Sequence, residues 1–321
     1  MSLKLPLPLS DTEKWHQMQL VVNQNSKILH HDLVWKLKKL FLLRLLTENI
    51  FIFILQYIGL NLSTLSQNLS PLWFATGTSC AYLFLRGYSV MPGIWLGTFS
   101  AYYLAKAGFL VSICCAIVLS LQATLLLWFS HHFLGPTLIF YRLGKFVTFV
   151  IYTAILTCII SFMLIYICYT LLLHVEASAL QLWLQWWLAN LNAILIFSCA
   201  LITFDAYFLD FYAAKPLKKT YVLFVLLLLV MISLIFTQTI VSTIVLALLV
   251  MLITIYVSVH FGWCGAIAAV FLSGMLFCFA GFFRTEVFSF SSVSVSLLLL
   301  QLFLCANTII GLSVAIIYKK N

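Results

Sequence analysis

The sequence predicts an all-α protein, a polytopic bundle of transmembrane helices with about 8–10 spans. Three observations carry this. Hydrophobic residues make up 64% of the chain and charged residues only 8%, against roughly 45–50% and about 25% in soluble domains. Several apolar runs exceed the ~20 residues that a helix needs to cross a bilayer. Segments of about ten residues with alternating polarity, the mark of a membrane β-barrel, are absent. Helices follow because hydrocarbon offers no water to satisfy an open sheet edge.

Residues 1–44 read as a cytoplasmic, basic N-terminal segment. LKLPLPLS is too short and too broken by proline for the core of a cleaved signal peptide. In LVWKLKKLFLLRLL (Leu33 to Leu46), lysines alternate with apolar positions at helical spacing. Such a segment can lie on an anionic leaflet or serve as an ordinary basic flank. Residues 45–318 form the membrane domain, with candidate spans at 45–62, 70–86, 90–106, 109–133, 145–173, 181–204, 220–238, 241–259, 263–283 and 297–318. The second and third are short, and the fifth is long enough to tilt or break. The seventh and eighth are separated only by a few residues around TQT, so the total can fall to eight or nine. Residues 319–321 form a short cytoplasmic tail.

With the N-terminus cytoplasmic, only Lys106 and Arg284 of the 17 lysines and arginines fall outside. This bias supports the alternation of loops and places both termini in the cytoplasm. The net charge of +9 therefore reports orientation, and no nucleic-acid partner is expected. The sequons at Asn61 and Asn68 matter only in a eukaryotic secretory pathway and read as chance.

The ionisable residues give little to build chemistry on. The acids are Asp11, Glu13, Asp32, Glu48, Glu176, Asp205, Asp210 and Glu286, and no two are placed for acid/base work. Glu48 lies four residues after Arg44, the spacing of an ion pair on one helix. The nine cysteines form no CxxC and no zinc-like spacing. His131 and His132 point about 100° apart on a helix and make poor joint ligands. Nucleophile elbow, phosphate loop and HExxH are missing. The expectation is no enzyme activity, no catalytic residues, no cofactor and no metal.

Amides are more informative. Gln122, Gln185, Asn190, Asn192, Gln301 and Asn307 fall within spans, where amides join helices or line a ligand site. The densest stretch is LQLWLQWWLANLNAIL, Leu180 to Leu195. Trp183, Trp187 and Asn190 share one face at i, i+4 and i+7, and Trp186 lies four before Asn190. Gln185 and Asn192, seven apart, share another. A helix polar on two faces belongs in the middle of the bundle. An aromatic belt is the competing account for Trp183, nearest the external end.

In wider context, LQLWLQWWLANLNAILIFSCALI resembles the signature W..WW.GD..G.L...P of the first membrane-associated sensor family, abbreviated MASE. Three further segments are similar to that family's pattern, in the right order: LSPLWFATGTSCAYLFLRGYSVMPGIWLGTFSAYYL, HFGWCGAIAAVFLSGMLF and SLLLLQLFLCANTIIGLSVAII. The resemblance implies a bacterial inner-membrane sensory module of about eight to ten helices. Such modules usually precede a cytoplasmic cyclase, phosphodiesterase or histidine kinase, and one forms the membrane half of a kinase that partners a transporter-like receptor. The chain departs from the pattern at Phe74 and Ala75, where the family has prolines, and at Cys199. Asn190 stands where the family has an acid, which removes a titratable group and keeps hydrogen bonding.

The chain ends AIIYKKN, and the expectation is either a stand-alone module or one whose output part lies on another chain. The expected function is a non-enzymatic sensory or receptor module signalling through a kinase, cyclase or transporter-like receptor in response to an unknown small ligand. The alternative is a small-molecule transporter or its membrane-embedded substrate-capture subunit, because GYSVMPG divides two short helices whose ends could face a site. The expected pocket or core comprises Trp73, Gly77, Trp95, Gly97, Trp183, Trp186, Trp187 and Asn190. Glycines 77, 93 and 97 also suit close helix packing.

Overall fold

The computed structural model describes residues 39, 42–59, 72–135, 142–172, 178–204, 240–282 and 293–318. Among these, all regular structure is helical. The chain divides into two compact units, Met1–Glu48 and Asn49–Asn321. In the first, Arg44 Nε donates to Glu48 Oε1 at 2.9 Å, the pair their spacing predicts. Arg44 is exposed, so the pair adds no more than about 0.5 kcal/mol. The second unit holds the bundle.

Helix α1 runs Leu42–Gly59. Helices α2 (Phe74–Arg86) and α3 (Met91–Leu104) are joined by a tight turn at Gly87–Val90, and Pro92 sits in the first turn of α3, where no intrahelical donor is missed. At 1.5 Å per residue each is about 20 Å long, well short of the ~30 Å hydrocarbon layer. Helix α4 (Phe109–Phe129) continues through a π turn at Ser130–Leu134, and α5 spans Leu143–Leu172. Helix α6 (Ala179–Ala193) continues through a second π turn, Ile194–Ser198, and reaches Phe204. Among the described residues six helical stretches are long and apolar enough to cross a membrane. The chain is a multi-pass membrane protein.

The spans expected at 241–259 and 263–283 form one helical stretch, Ile240–Phe282, interrupted only at Gly262. Gly262 has φ 61° and ψ −148°, a conformation essentially confined to glycine. In a straight helix Thr254 and Val270 would stand roughly 24 Å apart. Instead both reach Gly311: a Cβ there would lie 2.5 Å from Thr254 Cγ2 and 3.4 Å from Val270 Cγ2. The stretch is a helical hairpin, α7 (240–261) and α8 (263–282), with Gly262 at its tip. Helix α9 (Val293–Ile317) packs against both arms. The span expected at 220–238 lies outside the described residues.

Among the described residues three apolar clusters hold the bundle. The first joins α2, α4, α5 and α6 around Leu83, Leu126, Phe149 and Ile194. The second joins the start of α2 to α6, α7, α8 and α9 around Leu72, Ala189, Val250, Phe277 and Leu304. The third closes one end of the bundle with Phe146 of α5, Cys199 of α6, Ile267 of α8 and Leu312 of α9. Helix α6 contributes to all three. Its span is 72% buried against 17% for α1, which places it at the centre, as its two polar faces predict.

Candidate functional site

The site is built on α6, whose tryptophans and amides reach three neighbours. On the α5 side, Trp187 Nε1 donates to Ala154 O at 2.9 Å and Trp183 Nε1 to Cys158 O at 3.2 Å. The two indoles stack with centroids 5.8 Å apart. Each indole N–H is satisfied on a neighbouring backbone, so these rings clamp α6 to α5.

Trp186 and Asn190 turn towards α2. The Trp186 ring meets Trp73 edge-on at 5.2 Å. Asn190 is fully buried. Its Oδ1 accepts from Thr76 Oγ1 at 2.7 Å, and its Nδ2 donates to Trp186 O at 3.0 Å and to Ser161 Oγ at 3.5 Å. One amide thus ties α2, α5 and α6 together. Alongside, the Trp73 N–H donates to Ala189 O at 3.3 Å, and Ser198 Oγ donates to Gly77 O at 3.3 Å. A Cβ at Gly77 would overlap the Ala193 carbonyl. These contacts advance together along both chains, so α2 and α6 run in the same direction. Glycine at 77 is what lets their backbones meet.

Trp95 and Gly97 lie elsewhere. Trp95 stacks on Phe99 at 5.7 Å, and Phe99 on Tyr103 at 5.7 Å, a ladder along α3. Gly97 faces α1, where a Cβ would approach Gln56 Cβ at 2.7 Å. The structure therefore brings Trp73, Gly77, Trp186 and Asn190 together, sets Trp183 and Trp187 on α5, and separates Trp95 and Gly97 from both groups.

Two α1 residues outside the sequence-based set hold this region in place. Gln56 Nε2 donates to Ala75 O at 2.7 Å and to Ser79 Oγ at 2.5 Å, and its Oε1 accepts from Thr98 Oγ1 at 3.4 Å. Asn49 Nδ2 donates to Ser89 O at 2.9 Å, and its Oδ1 accepts from the Gly93 N–H at 2.7 Å. The available signal was spacing: two amides seven apart on α1, facing glycines four apart on α3.

The MASE1 family model matches residues 44–321. This chain belongs to the MASE1 family. Comparison with curated proteins and with solved structures gives no match. MASE1 is a family of membrane-associated sensor domains, and the four segments that resemble its pattern fall on α2–α3, α6, the hairpin and α9. They adjoin one another in space. Helix α6 joins α9 through Asn192 Nδ2 to Gln301 O at 2.8 Å and Gln301 Nε2 to Gln185 O at 3.1 Å. Helix α9 joins α8 through Asn307 Nδ2 to Ser273 Oγ at 3.3 Å. At the hairpin tip, Trp263 Nε1 donates to Thr203 Oγ1 of α6 at 2.9 Å.

The chemistry this MASE1 interior offers is neutral. Among the described residues the buried polar side chains are all Gln, Asn, Ser or Thr, and Glu48 is the only acid. Among the described residues no group of three His, Cys, Asp or Glu could hold a metal ion. The arrangement can hydrogen-bond and stack a ligand. Trp73 Nε1, Asn192 Oδ1, Asn307 Oδ1 and both amide atoms of Gln122 are buried without a hydrogen-bond partner among the described residues.

Proposed function

We propose that this MASE1 chain is a non-enzymatic sensory module of a bacterial inner membrane, with both termini cytoplasmic, that passes its state to a partner kinase, cyclase or transporter-like receptor. The observation that carries this reading is the seat of α2 on the π turn of α6. A π turn holds one extra residue in a helical turn, and such turns occur frequently at functional sites. Converting Ile194–Ser198 to α geometry would rotate the rest of α6 by about 100°. That end of α6 holds Thr203, bonded to Trp263 at the hairpin tip. A ligand favouring one arrangement of the Trp73–Asn190 layer would therefore bias the opposite end of the bundle, a population shift between two packings.

The start of α2 supports the transport reading, because the short helix begins inside the bundle at buried Leu72 and Trp73. One comparison separates the two. Deleting the chain in its host, or introducing Asn190→Ala, is expected to change the activity of the co-purifying partner, while proteoliposomes of the purified chain accumulate no solute. Solute flux with unchanged partner activity would replace sensing by transport.

A further inference from the structure

The π turn of α6 is a stretch, ILIFS, that holds neither proline nor glycine. Without these, a helix is irregular where a neighbour intrudes on its i→i−4 ladder. Here the neighbour is α2. A Cβ at Gly77 would overlap Ala193 O, just before the turn, and would lie 2.8 Å from Phe197 Cβ within it. Ser198, fully buried at the end of the turn, donates from Oγ to Gly77 O at 3.3 Å. Three residues before Gly77, the Phe74 ring meets that of Phe197 edge-on at 4.9 Å. Two residues of α2 thus hold both ends of the wide turn.

The parts of α6 on either side of the turn are anchored differently. Before it, Trp183 and Trp187 bond to the α5 backbone, so that half of the helix is fixed. After it, Thr203 Oγ1 accepts from Trp263 Nε1 at 2.9 Å, and the Trp263 ring meets Phe146 of α5 edge-on at 6.4 Å. An α-helix advances about 100° per residue, and a π turn lags by about one residue. Closing the turn to α geometry therefore advances everything after it by about 100°. Ser198 then leaves Gly77 O, and Ile202 takes the place of Thr203. The Ile202 side chain has no acceptor for the Trp263 indole. The two registers differ in whether α6 is bonded to the hairpin tip.

We propose that α2 is the latch of this turn: Phe74 and Gly77 hold α6 in the wide register, and displacement of α2 releases it to the α register, with Ile202 at the hairpin tip. The proposal rests on the sensory reading only in making this rotation the signal.

The test follows the indole N–H signals of the full-length chain, labelled with 15N-tryptophan, in lipid nanodiscs. The Trp263 signal is identified by its loss in Trp263→Phe. Ser198→Ala removes the bond to Gly77 O and keeps the backbone contact. It is expected to raise the ratio of unbonded to bonded Trp263 signal about tenfold, the scale of one hydrogen bond. Phe74→Leu, which removes the ring contact instead, is expected to act in the same direction. The Trp183 and Trp187 signals stay still in both. Adding Ile202→Thr to Ser198→Ala is expected to return Trp263 to its bonded position, because the rotated register then presents a hydroxyl. A Trp263 signal unmoved in both single variants overturns the latch, and so does an unbonded signal that Ile202→Thr leaves unchanged. Movement of Trp183 and Trp187 as large as that of Trp263 also overturns it, since that is general loosening. A moved Trp263 signal with unchanged partner activity leaves the latch intact and removes the sensory role.

Discussion

Asn190 and Gln122 are both fully buried amides on membrane helices, and the fold treats them in opposite ways. Asn190 faces α2, whose Thr76 hydroxyl is free to donate to it, and a serine on α5 accepts from it. Gln122 on α4 meets no hydrogen-bond partner at either amide atom among the described residues. A buried amide joins helices only where a neighbouring helix offers it a matching donor or acceptor. Polarity alone does not decide it.

Four substitutions test this contrast. Gly77→Val should do most damage, because its side chain meets the Ala193 backbone, which cannot swing aside. A loss of about 3 kcal/mol or more is expected, read as failure to elute as a single species in detergent. Asn190→Leu should cost about 1–3 kcal/mol by leaving the Thr76 hydroxyl unpaired, read as a lowered melting temperature. Trp187→Phe removes one indole bond to α5 and should cost about 0.6 kcal/mol. Gln122→Leu should change stability least and in the opposite direction, since an unpaired amide is exchanged for an apolar group of similar size. A melting temperature that falls as far in Gln122→Leu as in Asn190→Leu would erase the distinction.

Much of the architecture was legible in the chain. Apolar runs located the helices, and amides on two faces of α6 marked it as central. The hairpin was legible as two spans, but its tip rests on the backbone of Gly262. The site was only half legible. Helical spacing put Trp183, Trp187 and Asn190 on one face, yet long indoles reach the α5 backbone while the short Asn190 amide reaches Thr76. Trp95 and Gly97 are two residues apart, about 200° around a helix, so they had to part. Gln56 and Asn49 share a seven-residue spacing on α1, but the helices that supply their partners are revealed only by the packing of α1 against α2 and α3.

The shortness of α2 bears on how the protein is made. At about 20 Å, and rich in hydroxyl and glycine residues, α2 is a weak candidate for release into lipid on its own. Its anchor, Asn190, lies 114 residues downstream of Thr76. At about 5–20 residues per second, a ribosome needs on the order of ten seconds to supply it. For that interval the nascent α2 has only α1, α3, α4 and α5 to shelter its threonines, with Gln56 already at hand. Biosynthesis of this bundle therefore includes a waiting stage, ended when α6 emerges and its tryptophans and asparagine close over the earlier helices.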